Sequence, residues 1–372
     1  MPDRATVLDL PGLQALVDVL RARGYQVIGP TVRDGAVVNA EITGLDDLPR
    51  GWGDEQEAGT YRLRRRDDEM LFGFASGAQS AKPVFFPASS LLWRGSRTED
   101  GFTVETEAPA GPPYALIGVR SCDLHAVGIQ DVVLGGRVGV DADYLQRRRD
   151  AFVVAVTCSD PGGTCFCVSM GTGPRPDGGY DLSLTELLDD AGHRFVVDVG
   201  SELGAEVLAG LPGVPAEAAD RAAADRVAEE AAGRMGRTMD TEGLKDLLYG
   251  AVDSPVWDDV ASRCLSCTNC TLVCPTCFCT SVEDVTDLTG TTDERNRVWD
   301  SCFTADHSHL HGGTVRSSTS SRYRQWVTHK LGSWIDQFGM SGCVGCGRCI
   351  SWCPAAIDIT AEVANLRAEQ ED

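Results

Sequence analysis

The chain has 372 residues, 15 cysteines and a formal net charge of −22 at pH 7. This length is sufficient for two or three domains, each with its own core. The negative charge argues against nucleic acid as a partner, because a phosphate backbone is bound by a basic surface. With no signal peptide and no long apolar run in the sequence, we expect a cytoplasmic protein that does not enter a membrane and keeps its cysteines reduced.

The first part of the chain alternates between helix and strand patterns. Apolar residues at helical spacing predict a helix over residues 9–23, and Gly24 lies just beyond its end. Residues 25–28 and 36–42 are predicted to be strands, and residues 61–74 a hairpin or strand pair. This alternation predicts a mixed α/β domain over residues 1–212.

Two later segments are short and continuously apolar, which is typical of strands buried on both faces. They are residues 115–119 and 152–157, and residues 124–134 and 144–149 between them can form helices. The segments therefore predict a βαβ unit with parallel strands.

Four cysteines are placed around this unit. Cys122 and Cys158 directly follow the two strands, and Cys165 and Cys167 lie in a glycine-rich loop. Open α/β sheets build their sites at the carboxyl ends of parallel strands. These four thiols could therefore hold a metal centre, either an iron–sulfur cluster or zinc, which would be a third centre beside the two predicted below. The alternative is that Cys122 and Cys158 are small buried apolar residues.

Residues 215–235 have the clearest helical pattern, rich in alanine, and we expect residues 213–252 to form a helical connection between domains.

After this connection, the pattern Cys-x2-Cys-x2-Cys-x3-Cys-Pro occurs twice. The first run has Cys264, Cys267, Cys270 and Cys274, and the second has Cys343, Cys346, Cys349 and Cys353.

This spacing matches the ligand run of a bacterial [4Fe–4S] centre. Three close thiolates can surround three corners of a cubane, while the proline lets the fourth cysteine leave its own loop. In two-cluster ferredoxins that fourth cysteine binds the other cluster. We therefore predict two [4Fe–4S] clusters, with the following ligands. Cys264, Cys267, Cys270 and Cys353 hold one, and Cys343, Cys346, Cys349 and Cys274 hold the other.

Two other uses of these cysteines are disfavoured. Zinc ribbons need only four thiolates and would not use the third cysteine of each run or the prolines. Disulfides are not expected in a cytoplasmic chain, where metal ligation is the economical use of many cysteines. The segment between the runs has a helical stretch at residues 320–338, so we expect a helical two-cluster, ferredoxin-like domain over residues 253–372.

Several further residues near the runs have two interpretations each. Cys277, Cys279 and Cys302 are expected to pack beside a cubane, or alternatively to bind an additional cluster. The alternating His307, His309 and His311 favour a polar face or hydrogen bonds to cluster sulfurs over a zinc site. A basic-aromatic set is expected to be either a solvated helix face or a docking surface; its members are Arg322, Arg324, Trp326, His329 and Lys330.

No nucleotide-binding, Walker A, nucleophile-elbow or zinc-protease motif is present, and we predict no catalytic residue in this chain.

The sequence resembles the iron–sulfur β subunits of cytoplasmic NAD(P)-linked nickel–iron hydrogenases, or sulfhydrogenases, which are related to the iron–sulfur electron-transfer subunits of anaerobic sulfite reductases. The resemblance rests on these segments: RSCDLH (120–125), TCFCVSMGTGP (164–174), CLSCTNCTLVCPTCFC (264–279), RYRQW (322–326) with His329 and Lys330, and GCVGCGRCISWCP (342–354).

The resemblance implies a non-catalytic electron-transfer subunit within a hetero-oligomeric oxidoreductase. Its implied partners are a flavin subunit that binds NAD(P) and the small and large subunits of a nickel–iron hydrogenase. The alternatives are the equivalent subunit of a sulfite reductase and a free-standing ferredoxin-like carrier. Thr268 departs from the family, where a glycine is usual.

Overall fold

The computed structural model describes residues 5–106, 111–136 and 139–371. Its strands are β1 (Thr6–Asp9), β2 (Gln26–Arg33), β3 (Ala36–Glu41), β4 (Trp52–Glu57), β5 (Thr60–Arg65), β6 (Ser89–Thr98), β7 (Gly101–Glu105), β8 (Tyr114–Val119), β9 (Phe152–Val156), β10 (Leu182–Asp189), β11 (Gly192–Val199), β12 (Val214–Pro215), β13 (Thr280–Thr286), β14 (Thr292–Trp299), β15 (His309–Leu310) and β16 (Gly313–Thr314).

Its α-helices are α1 (Leu10–Ala22), α2 (Lys82–Phe85), α3 (Ser121–Leu134), α4 (Ala142–Asp150), α5 (Glu202–Ala209), α6 (Ala218–Ala232), α7 (Leu244–Gly250), α8 (Val256–Arg263), α9 (Asn269–Leu272), α10 (Thr319–Thr328), α11 (Trp334–Phe338), α12 (Arg348–Ser351) and α13 (Ile359–Glu371). A π-helical turn, His329–Ser333, joins α10 to α11. No helix in these described ranges is long and apolar enough to cross a membrane.

An eight-stranded mixed sheet organises the first half of the chain. Its strand order is β12-β1-β11-β10-β9-β8-β2-β3, and the four strands from β10 to β2 are parallel to one another. The predicted βαβ unit is confirmed, because β8 and β9 are parallel neighbours joined through α3 and α4. Both strands are buried on two faces, so that alternate residues enter two different apolar cores.

The first helix follows the pattern that predicted it. The Asp9 carboxylate caps α1 by accepting a hydrogen bond from the N–H of Gly12 at 2.8 Å. Gly24, just past the helix end, has a left-handed φ of 87°. The predicted helix at residues 215–235 is confirmed as α6, although Pro215 itself lies in β12.

The prediction of a hairpin within residues 61–74 is wrong. Only β5 forms there, and its antiparallel partner is β4, which precedes it in the chain. Residues 66–74 are irregular because Leu71 and Phe72 donate their N–H groups to the Glu186 carboxylate, at 2.6 and 2.8 Å. A buried carboxylate from the main sheet thus replaces a strand partner.

A second sheet joins distant parts of the sequence. Its order is β13-β14-β6-β7, and every pairing is antiparallel. Strands β6 and β14 come from opposite sides of the predicted domain boundaries, which remain predictions. The hairpin of β13 and β14 lies between the two cysteine runs, where the sequence indicated only helix.

The rest of the carboxy-terminal region is largely helical. The predicted helical stretch at residues 320–338 is confirmed as α10, the π-helical turn and α11. Helices α7, α8, α10 and α13 enclose one apolar core, and Phe166 from the amino-terminal region also enters it. The chain therefore consists of a mixed α/β region and a helical region that share buried contacts.

Candidate metal centres

The first cysteine run begins where α8 ends and leads into the short helix α9. The N–H of Ser266 donates a hydrogen bond to the Cys264 Sγ at 3.4 Å. Ser266 and Thr268 adopt left-handed backbone conformations, with φ of 50° and 70°. These two turns wrap the loop around a common centre and direct a backbone N–H at sulfur.

The first three cysteines of this run line one cavity. Cys264, Cys267, Cys270 and Cys353 line it, as does Cys349. Its apolar wall is formed by Phe303, Tyr323, Trp326, Ile357 and Ile359. The structure thus brings together the four cysteines that the sequence groups in one centre, and of these Cys267 is exposed to solvent.

The second run has the same local backbone. The N–H of Gly345 donates to the Cys343 Sγ at 3.4 Å, and Gly345 and Gly347 have left-handed φ of 63° and 74°. This loop is buried against the α/β region: the N–H of Phe166 donates to the Gly345 carbonyl at 2.8 Å. Glycine is required here because a Cβ on Gly345 would lie 2.6 Å from the Phe166 carbonyl oxygen.

Cys274, the last cysteine of the first run, lies with the second run. It is near enough to Cys343, Cys346 and Cys349 to raise the pKa of each of these thiols. Burial is the largest contribution and raises the pKa of Cys343 to about 12. Thiols with raised pKa values must release protons when they bind a metal.

A buried lysine that sequence reasoning misplaced contacts this group. The Lys330 ammonium donates to the Cys274 Sγ at 3.1 Å and to the Thr276 hydroxyl at 2.8 Å. A hydrogen bond from Cys277, together with this ammonium, lowers the pKa of Cys274 well below its usual range. Cys274 is therefore prepared to be a thiolate.

Two members of the basic-aromatic set do not belong to a surface. Lys330 and Trp326 are only 5% and 4% exposed, whereas Arg322 and Arg324 are half-buried. Lys330 lies in the π-helical turn, a local irregularity that helical periodicity does not reveal. Only the tertiary structure places its ammonium beside a cysteine that is distant in sequence.

The four remaining cysteines of the α/β region also lie close together. Cys122 lies in the first turn of α3 and Cys158 follows β9, at the carboxyl ends of neighbouring parallel strands as predicted. Cys158 contributes to the raised pKa values of Cys165 and Cys167, and Cys167 contributes to that of Cys122. These thiols form one buried or half-buried group.

This third group packs directly against the second run. The Cys165 Sγ lies 3.8 Å from the Cys346 carbonyl oxygen. In the same loop, the Thr172 hydroxyl donates to the Val344 carbonyl at 2.6 Å. The third group and the second run therefore form one continuous buried unit.

A buried ion pair secures that unit. The Arg348 guanidinium binds both carboxylate oxygens of Asp123, at 2.7 and 2.9 Å, and also donates to the Gly77 and Gln79 carbonyls. Arg348 is 1% exposed. Asp123 directly follows Cys122 of the third group, and Arg348 lies between Cys346 and Cys349 of the second run. The ion pair therefore holds the two groups together.

The other candidate residues are distributed differently. Cys277, Cys279 and Cys302 line a separate pocket beside Cys274. His307 and His309 do not converge: His307 faces Asp300 at 3.5 Å, whereas His309 faces Thr314 at 3.3 Å. Within the described ranges, no three or more His, Cys, Asp or Glu side chains are arranged to hold a single metal ion.

Comparison with known proteins agrees with this arrangement. Residues 263–357 match the family model of the 4Fe-4S dicluster domain, which implies two [4Fe–4S] clusters. The chain is 32% identical over 319 residues to sulfhydrogenase 2 subunit beta of Pyrococcus furiosus, an alignment that covers 84% of this chain and 91% of that protein. No solved structure matches the chain.

Proposed function

As the chain belongs to the family of sulfhydrogenase β subunits, we propose that it relays electrons between two other subunits of a nickel–iron hydrogenase. One partner is a flavin subunit that oxidises or reduces NAD(P)(H). The other is the small hydrogenase subunit, which leads to the large subunit and its nickel–iron site. The chain acts as a non-catalytic member of this hetero-oligomer.

The observation that supports a relay most strongly is the contact between the two cysteine groups. Cys349 belongs to the second run, yet it lines the cavity of the first. Cys274 and Cys353 each lie with the run to which they do not belong in sequence. We therefore keep the crossed ligand assignment, in which each run supplies three cysteines to its own cluster and the fourth to the other.

The residues present fit such clusters. Each run directs a backbone N–H at a sulfur, and Lys330 places a positive charge beside Cys274. A bound [4Fe–4S] cluster supplies reversible one-electron storage, and hydrogen bonds and nearby charges adjust its reduction potential. Aromatic side chains cover one side of the first cavity, whereas Cys267 is exposed.

The two groups have different access to partners. Cys267 is exposed and Leu265 beside it is 67% exposed, so the first centre lies at the surface. The second run is enclosed by the α/β region. We propose that one partner subunit covers the surface around Leu265 and exchanges electrons with the chain there.

The third group extends the relay into the α/β region in this proposal. Cys122, Cys158, Cys165 and Cys167 provide four thiols next to Cys346. If they hold a third [4Fe–4S] cluster, Cys165→Ser lowers the iron content by about four atoms per chain. An unchanged iron content would return these cysteines to a packing role.

Anaerobic affinity purification of the chain from its own cells tests the proposed function, with the co-purifying proteins identified by mass spectrometry. We expect the large and small subunits of a nickel–iron hydrogenase together with a flavoprotein. A sirohaem protein in their place would assign the chain to sulfite reduction. Recovery of the chain alone, soluble and with its full iron content, would contradict a subunit role and favour a free carrier.

A further inference from the structure

Three cysteines outside the groups described above line one pocket. Cys277 and Cys279 follow the first run, and Cys302 follows β14. All three residues therefore border the same space, although they come from two separate segments of the chain. The pocket is also lined by Asp300, His329 and Lys330.

We propose that this pocket is an additional metal site, in which Cys277, Cys279, Cys302 and the His329 imidazole bind a further [4Fe–4S] cluster. Three thiolates and one imidazole supply the four ligands that a cubane needs. The inference does not depend on which enzyme the chain serves, because it concerns only what these four side chains bind.

His329 is better placed than Asp300 to be the fourth ligand. The Asp300 carboxylate already accepts hydrogen bonds from the Ser301 N–H at 2.6 Å and the Thr304 hydroxyl at 3.1 Å. The His329 ring is held between Phe278 and Trp334, with ring centroids 6.3 and 5.9 Å away. Burial lowers the pKa of His329 to about 4, which keeps its imidazole neutral, the form that binds metals.

The charges around the pocket argue against a packing role for these thiols. Lys330, which lines the pocket, is buried, and so is Lys82. The Lys82 ammonium donates to the Cys277 carbonyl at 3.3 Å and lies 3.6 Å from the centre of the Trp299 ring. Cys274 already supplies negative charge beside Lys330, but burying the Lys82 ammonium is costly unless negative charge is near it too. A cluster held by three thiolates would supply that charge, whereas neutral packed thiols would not.

The location also suits a cluster next to those already proposed. The Cys277 thiol contacts Cys274 of the second group. Trp326 lines both this pocket and the cavity of the first run. The pocket therefore adjoins both groups formed by the cysteine runs. With it, each of the 15 cysteines belongs to one of four groups.

The test is the iron and acid-labile sulfide content of the full-length chain, purified anaerobically as the wild type and as Cys279→Ala and Cys302→Ala. We expect each variant to lose about four irons per chain, while the electron paramagnetic resonance signals of the other clusters persist. If the thiols only packed, alanine would replace them without loss of iron. Full iron content in both variants would therefore overturn the proposal.

A second measurement is independent of how well those variants fold. In the reduced wild-type chain with ¹⁵N-labelled histidine, pulsed electron paramagnetic resonance should detect a nitrogen coupled to an iron–sulfur centre. His329→Cys should abolish this coupling and retain the iron, because a fourth thiolate replaces the imidazole. A wild-type chain without any such coupling would overturn the assignment of His329.

Discussion

The two cysteine runs have the same spacing and the same local backbone, but opposite surroundings. In both, a backbone N–H lies 3.4 Å from the first sulfur, and the two residues that flank the middle cysteine have left-handed φ. Leu265 of the first run is 67% exposed, whereas its counterpart Val344 in the second is 2% exposed. One motif therefore forms both a surface centre and a buried one.

The difference is visible in the residues at equivalent positions. The left-handed positions are Ser266 and Thr268 in the exposed run and Gly345 and Gly347 in the buried run. A Cβ on Gly347 would lie 2.4 Å from the Thr164 carbonyl oxygen, so close packing excludes side chains there. The two runs share one loop backbone, and the residues between the cysteines determine what can pack against it.

The largest difference in stability is expected at another pair of equivalent positions. Arg348 of the buried run binds Asp123, whereas its counterpart Asn269 makes an exposed hydrogen bond to the Trp352 carbonyl at 3.2 Å. Asp123→Asn should lower the free energy of unfolding by about 3–5 kcal/mol, because it leaves a buried guanidinium without its carboxylate. Anaerobic denaturant unfolding measures this change.

The matched control is Asn269→Ala, which should cost about 0.5–1.5 kcal/mol, as for an ordinary hydrogen bond. Equal losses for the two variants would mean that the surroundings of the runs do not differ as described.

A smaller effect is expected for Gly347→Ala. It should lower the free energy of unfolding by about 1–3 kcal/mol, because alanine is strained at a φ of 74° and its Cβ meets the Thr164 carbonyl. Thermal unfolding of the anaerobic chain checks the value. Gly339→Ala is the control for strain alone, since φ is 75° there and no atom lies within 4 Å of the added Cβ. An equal effect at both sites would contradict the role of close packing.

The smallest effect should have the opposite sign. Thr268 is a β-branched residue with a φ of 70°, and its counterpart in the buried run is Gly347. Thr268→Gly should raise the free energy of unfolding by about 0.5–1 kcal/mol through relief of backbone strain, less the entropy that glycine loses. Denaturant unfolding with unchanged iron content measures it, and a clear loss of stability would show that the threonine side chain makes a stabilising contact.

Sequence patterns predicted the features that depend on spacing along the chain. Helix α1, the parallel pair β8 and β9 and the presence of a two-cluster domain each follow from a local period or motif. The pairing of β6 with β14 could not be predicted in this way, because the two strands are far apart in sequence and no local pattern records their contact.

The same reason explains what was missed at the site. Lys330 beside Cys274 and Arg348 beside Asp123 are contacts between distant segments. The charge of Lys330 suggested solvent exposure, since lysine is rarely buried unless it is paired. The sequence contains both partners of each contact but not the fold that brings them together.

The most direct test of the proposed relay uses the intact complex that contains either the wild-type chain or Cys346→Ser. Two activities are compared: hydrogen evolution driven by NAD(P)H, which needs the relay, and hydrogen evolution driven by a reduced viologen dye delivered directly to the hydrogenase subunits. The relay predicts that Cys346→Ser abolishes the first and retains the second. Full NAD(P)H-driven hydrogen evolution by this variant would contradict it.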